Sequence, residues 1–179
     1  LSISGTHFVV GKPNAATLKG RTGSVVAYER QGGAWIEQDN EIIAPDGSHR
    51  DRFGVSCAVS GNVLVVGADQ HDESRQETED AARGAAYVFV WQENEWKYSN
   101  NKLFPHDVAE GIDVNFGCSV AIDEDTIVVG SKRPGAEPGA AYVFVRQGED
   151  FVQDGILQVN GCSEFFGTSV AVFGNTIAV

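Results

Sequence analysis

One heptad phrase recurs along the chain and fixes what it can become. Phe53-Gly54-Val55-Ser56-Cys57-Ala58-Val59 returns as Phe116-Gly117-Cys118-Ser119-Val120-Ala121-Ile122 and as Phe166-Gly167-Thr168-Ser169-Val170-Ala171-Val172. After each copy and a short polar turn comes a second apolar unit: Val63 to Gly67, Ile127 to Gly130, and Ile177 to Val179, with His7 to Gly11 as an earlier copy. A third unit, Gly84-Ala85-Ala86-Tyr87-Val88-Phe89-Val90, is matched by Gly139 to Val145 and, in degenerate form, by Gly23 to Tyr28. A fourth opens on an aromatic residue at Trp35, Trp96 and Phe151. Self-similarity with four short units per period is the signature of a repeat architecture.

Each unit is four to eight residues long, rich in Val, Ile, Phe and Tyr, and bounded by Gly, Asn, Asp or Ser, which predicts strands. The first three units are apolar at nearly every position, so both faces must be covered. No amphipathic helical stripe exists to cover them, so sheets must cover sheets. The fourth unit alternates, as in Trp96-Lys97-Tyr98-Ser99, and reads as a half-wet outer strand. The expected fold is all-β: four-stranded antiparallel blades of a β-propeller. Blade-like repeats are placed at about 1–45, 53–105 and 116–159, with a partial fourth at 166–179.

The Phe-Gly-x-Ser-Val-Ala-Val phrase, the Ile-Val-Val-Gly unit and the Gly-Ala-Ala-Tyr-Val-Phe unit together resemble the FG-GAP repeat, the family that includes the propeller of integrin α chains. The resemblance implies a seven-bladed propeller, often outside the cell, serving adhesion or protein interaction. Calcium-binding members carry an Asp-rich loop between first and second strands, where alternate oxygen ligands suit a hard cation. Here those turns are Ser4-Gly5-Thr6, Ser60-Gly61-Asn62, Asp123-Glu124-Asp125 and Phe173-Gly174-Asn175, too short and mostly without carboxylates, so no metal site is expected. Ile3-Ser4-Gly5 aligns with Val59-Ser60-Gly61, so the chain is expected to open inside a first strand and to end inside a second. On this alignment it is an open part of a larger propeller. The remaining blades of the same chain, or other subunits of an assembly, are the expected partners.

Other constellations read as structural. Asp69 to Arg83 is an acidic insertion, expected to be solvated, with a helical turn suggested near Ser74-x-x-Glu77. Asp46, Asp107 and Asn160 precede the Phe-Gly pairs, where Asx-turns would explain them. A stacked ring of such carboxylates around a cation is the weaker alternative. His7, His49, His71 and His106 share no repeat position and no zinc spacing, and are expected in turns or at the surface. Ser56, Ser119 and Ser169 recur outside any nucleophile-elbow motif, so repeated structure explains them. Trp35, Trp96 and Phe151 are expected to pack between outer strands. Cys57, Cys118 and Cys162 form no metal pair; buried thiols, or one disulfide with a thiol left over, both fit.

A net charge of -12, from 13 Lys+Arg against 25 Asp+Glu, repels phosphate backbones and argues against nucleic acid. No apolar run approaches the roughly 20 residues of a membrane span. Catalytic, cofactor-binding and metal-binding residues are therefore all expected to be none. The expected function is a non-catalytic binding or structural module of a secreted, cell-surface or extracellular-assembly protein that can take a protein ligand; lumenal or periplasmic placement is the alternative location. The runner-up function is an accessory propeller of a larger enzyme, such as a secreted hydrolase, whose catalytic domain lies outside these residues.

Overall fold

The computed structural model describes residues 1–71, 83–106, 108, 114–132, 138–159 and 165–179, and among these there is no helix. The first sheet contains β1 (Ser2–Ser4), β2 (His7–Lys12), β3 (Ser24–Gln31) and β4 (Ala34–Glu37). The second contains β5 (Ser56–Ser60), β6 (Val63–Ala68), β7 (Ala85–Gln92) and β8 (Glu95–Leu103). The third contains β9 (Phe116–Asp123), β10 (Thr126–Ser131), β11 (Ala140–Gln147) and β12 (Asp150–Leu157). A two-stranded sheet of β13 (Ala171–Phe173) and β14 (Thr176–Ala178) follows. Within each sheet the strands neighbour one another in chain order and pair antiparallel, the up-and-down meander of a propeller blade.

The apolar run of β6 shows why sheets must cover sheets here. Side chains alternate across a strand. Leu64, Val66 and Ala68 therefore pack with Val9, Val25 and Ala27 of the first blade. Val63 and Val65 face the other way and pack with Ile122, Ile127 and Val129 of the third. Every residue of β6 is buried, whereas every residue of β4 is exposed. The core is thus a series of layers between blades. First strands pack side by side, β1 on β5, β5 on β9 and β9 on β13, which makes them the inner edge of the arc.

The outer strands β8 and β12 bend at the same height. Register slips between Tyr87 and Phe89 in the β7–β8 pair and between Val143 and Phe144 in the β11–β12 pair. In the first of these bulges Val88 stands opposite Ser99, Asn100 and Asn101; Asn100 has φ of 63°, and the Ser99 hydroxyl donates to the Val88 carbonyl at 2.9 Å.

Candidate functional site

Two places carry the recurring or titratable side chains: the joints between blades, and a polar cluster beside the first joint.

At each joint, a Phe-Gly pair docks on a glycine notch of the preceding blade. The Phe53 N–H donates to the Thr22 carbonyl at 2.9 Å, and Phe116 makes the same bond to Arg83 at 3.1 Å. Gly54, at φ of 88°, then crosses so close to β2 that a β-carbon on Gly11 would lie 1.9 Å from the Gly54 carbonyl oxygen. Gly67 meets Gly117 in the same way, and Gly130 meets Gly167. Only glycine lets two backbones approach so closely. The Phe rings meanwhile point into their own blades. Phe53 stands edge-on to Tyr87 at 5.5 Å and Phe116 edge-on to Tyr142 at 5.3 Å, the preferred aromatic geometry.

The recurring serines belong to these joints. The Ser56 hydroxyl donates to the Gly117 carbonyl at 2.7 Å, and Ser119 repeats the bond to Gly167 at 2.7 Å. Ser169, at the corresponding place in the last sheet, is exposed.

A second set of clips joins the inner turns. Ser4 Oγ accepts the Gly61 N–H at 3.1 Å, Ser60 Oγ accepts the Glu124 N–H at 3.2 Å, and Asp123 Oδ2 accepts the Gly174 N–H at 2.7 Å. The last residue of each first strand thus holds the turn of the next blade. Further out, Asn101 acts as a side-chain mimic of a strand: its Oδ1 accepts the Phe151 N–H at 2.8 Å and its Nδ2 donates to the Phe151 carbonyl at 3.4 Å.

The polar cluster centres on His71, which is 3% exposed. Its Nδ1 lies 2.8 Å from Asp51 Oδ2, an oxygen that also accepts the Ser48 N–H at 2.7 Å. Its Nε2 lies 3.8 Å from Asp46 Oδ2. Asp46 also accepts from the Tyr87 hydroxyl at 2.8 Å and from Lys102 Nζ at 2.9 Å. Burial alone would raise the Asp46 pKa, but the Lys102 and Tyr87 hydrogen bonds and the nearby His71 outweigh it and hold the carboxyl below its ordinary value. Burial, with Asp46 beside it, pushes the Tyr87 hydroxyl far above the usual phenol range, so it remains a donor. Buried Asp69 completes the region, with Arg52 Nη1 at 3.0 Å and Lys132 Nζ of the third blade at 3.9 Å. The cluster ties the segment linking β4 to β5 onto β7 and β8. Lys102 opposes Asp46, and Arg52 and Lys132 oppose Asp69, so the cluster holds its segments together through paired charges and hydrogen bonds.

His71 is therefore a buried partner of two carboxylates, where a turn or surface position was expected. Its sequence neighbourhood is polar, and only the fold brings Asp46 and Asp51 around it. Asp46 likewise reaches into the second blade, where an Asx-turn was expected. His49 and His106 are exposed, while His7 is half-buried against Trp91 at 4.7 Å and Trp96 at 5.1 Å. Burial lowers the His7 pKa, and Glu29 works against that shift. Trp35 covers Phe8 within its blade, and Phe151 is buried under the Arg146 guanidinium. Cys57 and Cys118 are both free thiols, and burial raises the Cys118 pKa. Cys162, Asp107, Asn160 and the helical turn expected near Ser74 lie outside the described residues.

The segments that carry the Phe53 and Phe116 joints also match a known family. A model of the FG-GAP repeat matches residues 35–89 and 99–144, together more than half of the chain. The chain belongs to the FG-GAP repeat family. Each matched FG-GAP segment runs from a fourth strand, or from within one, through the Phe-Gly joint to the third strand of the next blade, and so spans a joint. No curated protein matches the chain significantly. No helix among the described residues is long and apolar enough to cross a membrane.

Proposed function

We propose that this FG-GAP propeller is a non-catalytic recognition module of a secreted, cell-surface or extracellular-assembly protein, engaging protein ligands in adhesion or assembly. One observation carries the reading: the polar residues that recur through the repeats make the joints themselves. Ser56 and Ser119 bond the next blade's glycine carbonyls, and Ser4, Ser60 and Asp123 hold the next blade's turns. What differs from blade to blade is the loops between second and third strands, and variable loops on a rigid scaffold are where binding concentrates. FG-GAP repeats are typically non-catalytic and commonly extracellular, which supports the same reading. On this proposal residues 1–179 belong to one propeller domain, with no catalytic, cofactor or metal residue among them.

The test uses the protein in its own cells. An antibody raised against the chain should label intact, non-permeabilised cells or their secreted matrix, and its Fab should reduce attachment or assembly. Labelling only after permeabilisation would overturn the extracellular part. A turnover lost about a hundredfold on changing one acidic or histidine side chain would overturn the non-catalytic part.

A further inference from the structure

The structure points to an interaction surface on the first blade, and we propose that it binds a short acidic protein segment carrying an apolar side chain. The inference rests on the recognition-module reading and specifies its partner.

The surface is made by two loops. In the first, between β2 and β3, Thr17 and Gly20 exchange backbone hydrogen bonds at 2.7 and 3.1 Å, leaving Leu18 and Lys19 at the tip. The Lys19 N–H donates to Thr17 Oγ1 at 3.2 Å, and Thr17 Oγ1 lies 2.9 Å from Thr22 Oγ1. The tip is thus fixed by its own hydrogen bonds, yet it presents Leu18 fully to solvent. The second loop, between β4 and β5, is bonded to it: the Arg50 N–H donates to the Arg21 carbonyl at 2.8 Å, and the Arg21 N–H to His49 Nδ1 at 3.4 Å.

Lys19, Arg21 and Arg50 are therefore exposed on the same pair of loops as Leu18, with the His49 ring between them. In a chain with only 13 Lys and Arg and a net charge of -12, these three neighbouring cations stand out. Among the described residues no carboxylate pairs with Lys19, Arg21 or Arg50. Lys19 Nζ donates to the Pro45 carbonyl at 2.6 Å, and so holds its charge at the patch.

A second observation comes from the backbone. Arg50 and Arg52 adopt φ of 72° and 60°, the left-handed region that side chains other than Gly and Asn avoid. Asp51 between them is buried and held by Ser48 and His71, and the Asp51 carbonyl accepts the Gln70 N–H at 3.2 Å. Arg52 turns inward to Asp69, which gives its strain a structural return. Arg50 has no such side-chain contact among the described residues. Unlike exposed Glu124, it stands within a cluster of cations, where a strained side chain supports a binding role.

The chemistry selects the partner. Guanidinium groups pair best with carboxylates or phosphates, often through two parallel hydrogen bonds. The net charge of the chain opposes an extended polyanion, whose remote charges lie beyond the patch. A short acidic segment keeps its carboxylates over the patch, within a screening length of about 8–10 Å. Leu18 supplies an apolar contact that a polyphosphate or sulfated glycan has no group to use. Because the tip is already rigid, binding costs little ordering entropy.

The test is fluorescence anisotropy with the full chain and a labelled peptide, Glu-Glu-Asp-Phe-Glu-Asp, at low salt. The peptide should bind, and Arg21→Glu should weaken it about tenfold, an effect that shrinks as salt is raised. Leu18→Ser should weaken it about threefold or more, through the lost apolar contact. Arg50→Gly is the discriminating variant: it should weaken binding while raising the thermal midpoint, because the strain disappears with the side chain. Arg30→Glu, an equal charge change on exposed β3 residues, should leave affinity within about twofold, since single exposed charges contribute little. Absence of peptide binding, equal loss in Arg30→Glu, or displacement of the peptide by lower concentrations of a heparin octasaccharide or a short RNA would overturn the proposal. Failure here with intact-cell labelling retained would leave the recognition-module reading standing; peptide binding without such labelling would remove only its extracellular placement.

Discussion

Gly67 and Gly117 belong to different blades, yet a β-carbon on the first would lie 2.0 Å from the carbonyl oxygen of the second and 2.3 Å from Ser56 Oγ. No side chain can be accommodated without parting the blades. Gly67→Ala should therefore destabilise the chain by several kcal/mol, about 3 kcal/mol or more, as overpacking of a closed interface does. Gly61→Ala is the control: it has open space around it and a φ of 55°, so it should cost only about 1 kcal/mol through backbone strain. Urea denaturation of the two variants separates these outcomes.

Ser56→Ala and Ser119→Ala each remove one hydroxyl donor to a neighbouring blade's glycine carbonyl. Each should cost about 1 kcal/mol, the net worth of an ordinary hydrogen bond. Both sites lie on first strands that touch, so the double variant is a test of coupling: a loss exceeding the sum would show that adjacent joints open together. Equilibrium unfolding measures both quantities.

Glu124 occupies the turn position held elsewhere by Gly5, Gly61 and Gly174, and shares their left-handed backbone at φ of 49°. Its side chain is exposed, and its backbone N–H is what Ser60 holds. Glu124→Gly should stabilise the chain by about 0.5–1 kcal/mol while leaving that clip intact. A lowered thermal midpoint would contradict this.

Asp46 gives the chain an acid-sensitive element. Its pKa lies below the ordinary 3.8 in the folded state, held down by Lys102, Tyr87 and His71. The stabilisation is complete above the unfolded pKa and is lost as pH falls through the folded one. Unfolding free energy measured from about pH 5 downwards should fall less steeply in Asp46→Asn than in the parent chain. A parallel fall in both would show that Asp46 contributes nothing to the acid limb.

The blades were legible because their signal is redundant. The continuous burial demanded by Val63 to Ala68 and the alternation of Trp96 to Ser99 each appear more than once, so one degenerate copy does no harm. The observed strands keep the expected order, and Ser2–Ser4 takes its place as a first strand in register with its counterparts. The serines were read as structural, but which backbone they reach could not be read, since Ser56 and Gly117 are far apart in sequence and meet only across a joint. His71 was misplaced for a related reason. A histidine beside Gln70 and Asp72 looks solvated, and its burial comes from Asp51 and Tyr87, on other elements. Arg50 and Arg52 gave no signal either: left-handed backbone is expected at glycine, and neither position has one.

The span of the family match has a consequence for how such chains grow. The matched segment runs from the outer strand of one blade to the third strand of the next, so the unit the family shares is offset from the unit that folds. A copy of that segment would find part of its hydrogen-bonding partners in its neighbours. It has no independent fold to drift toward, and a newly added copy is held in the row by the same Phe-Gly contact that held its parent. Lengthening the row therefore preserves its architecture without further selection, and leaves the loops between second and third strands as the part free to diversify.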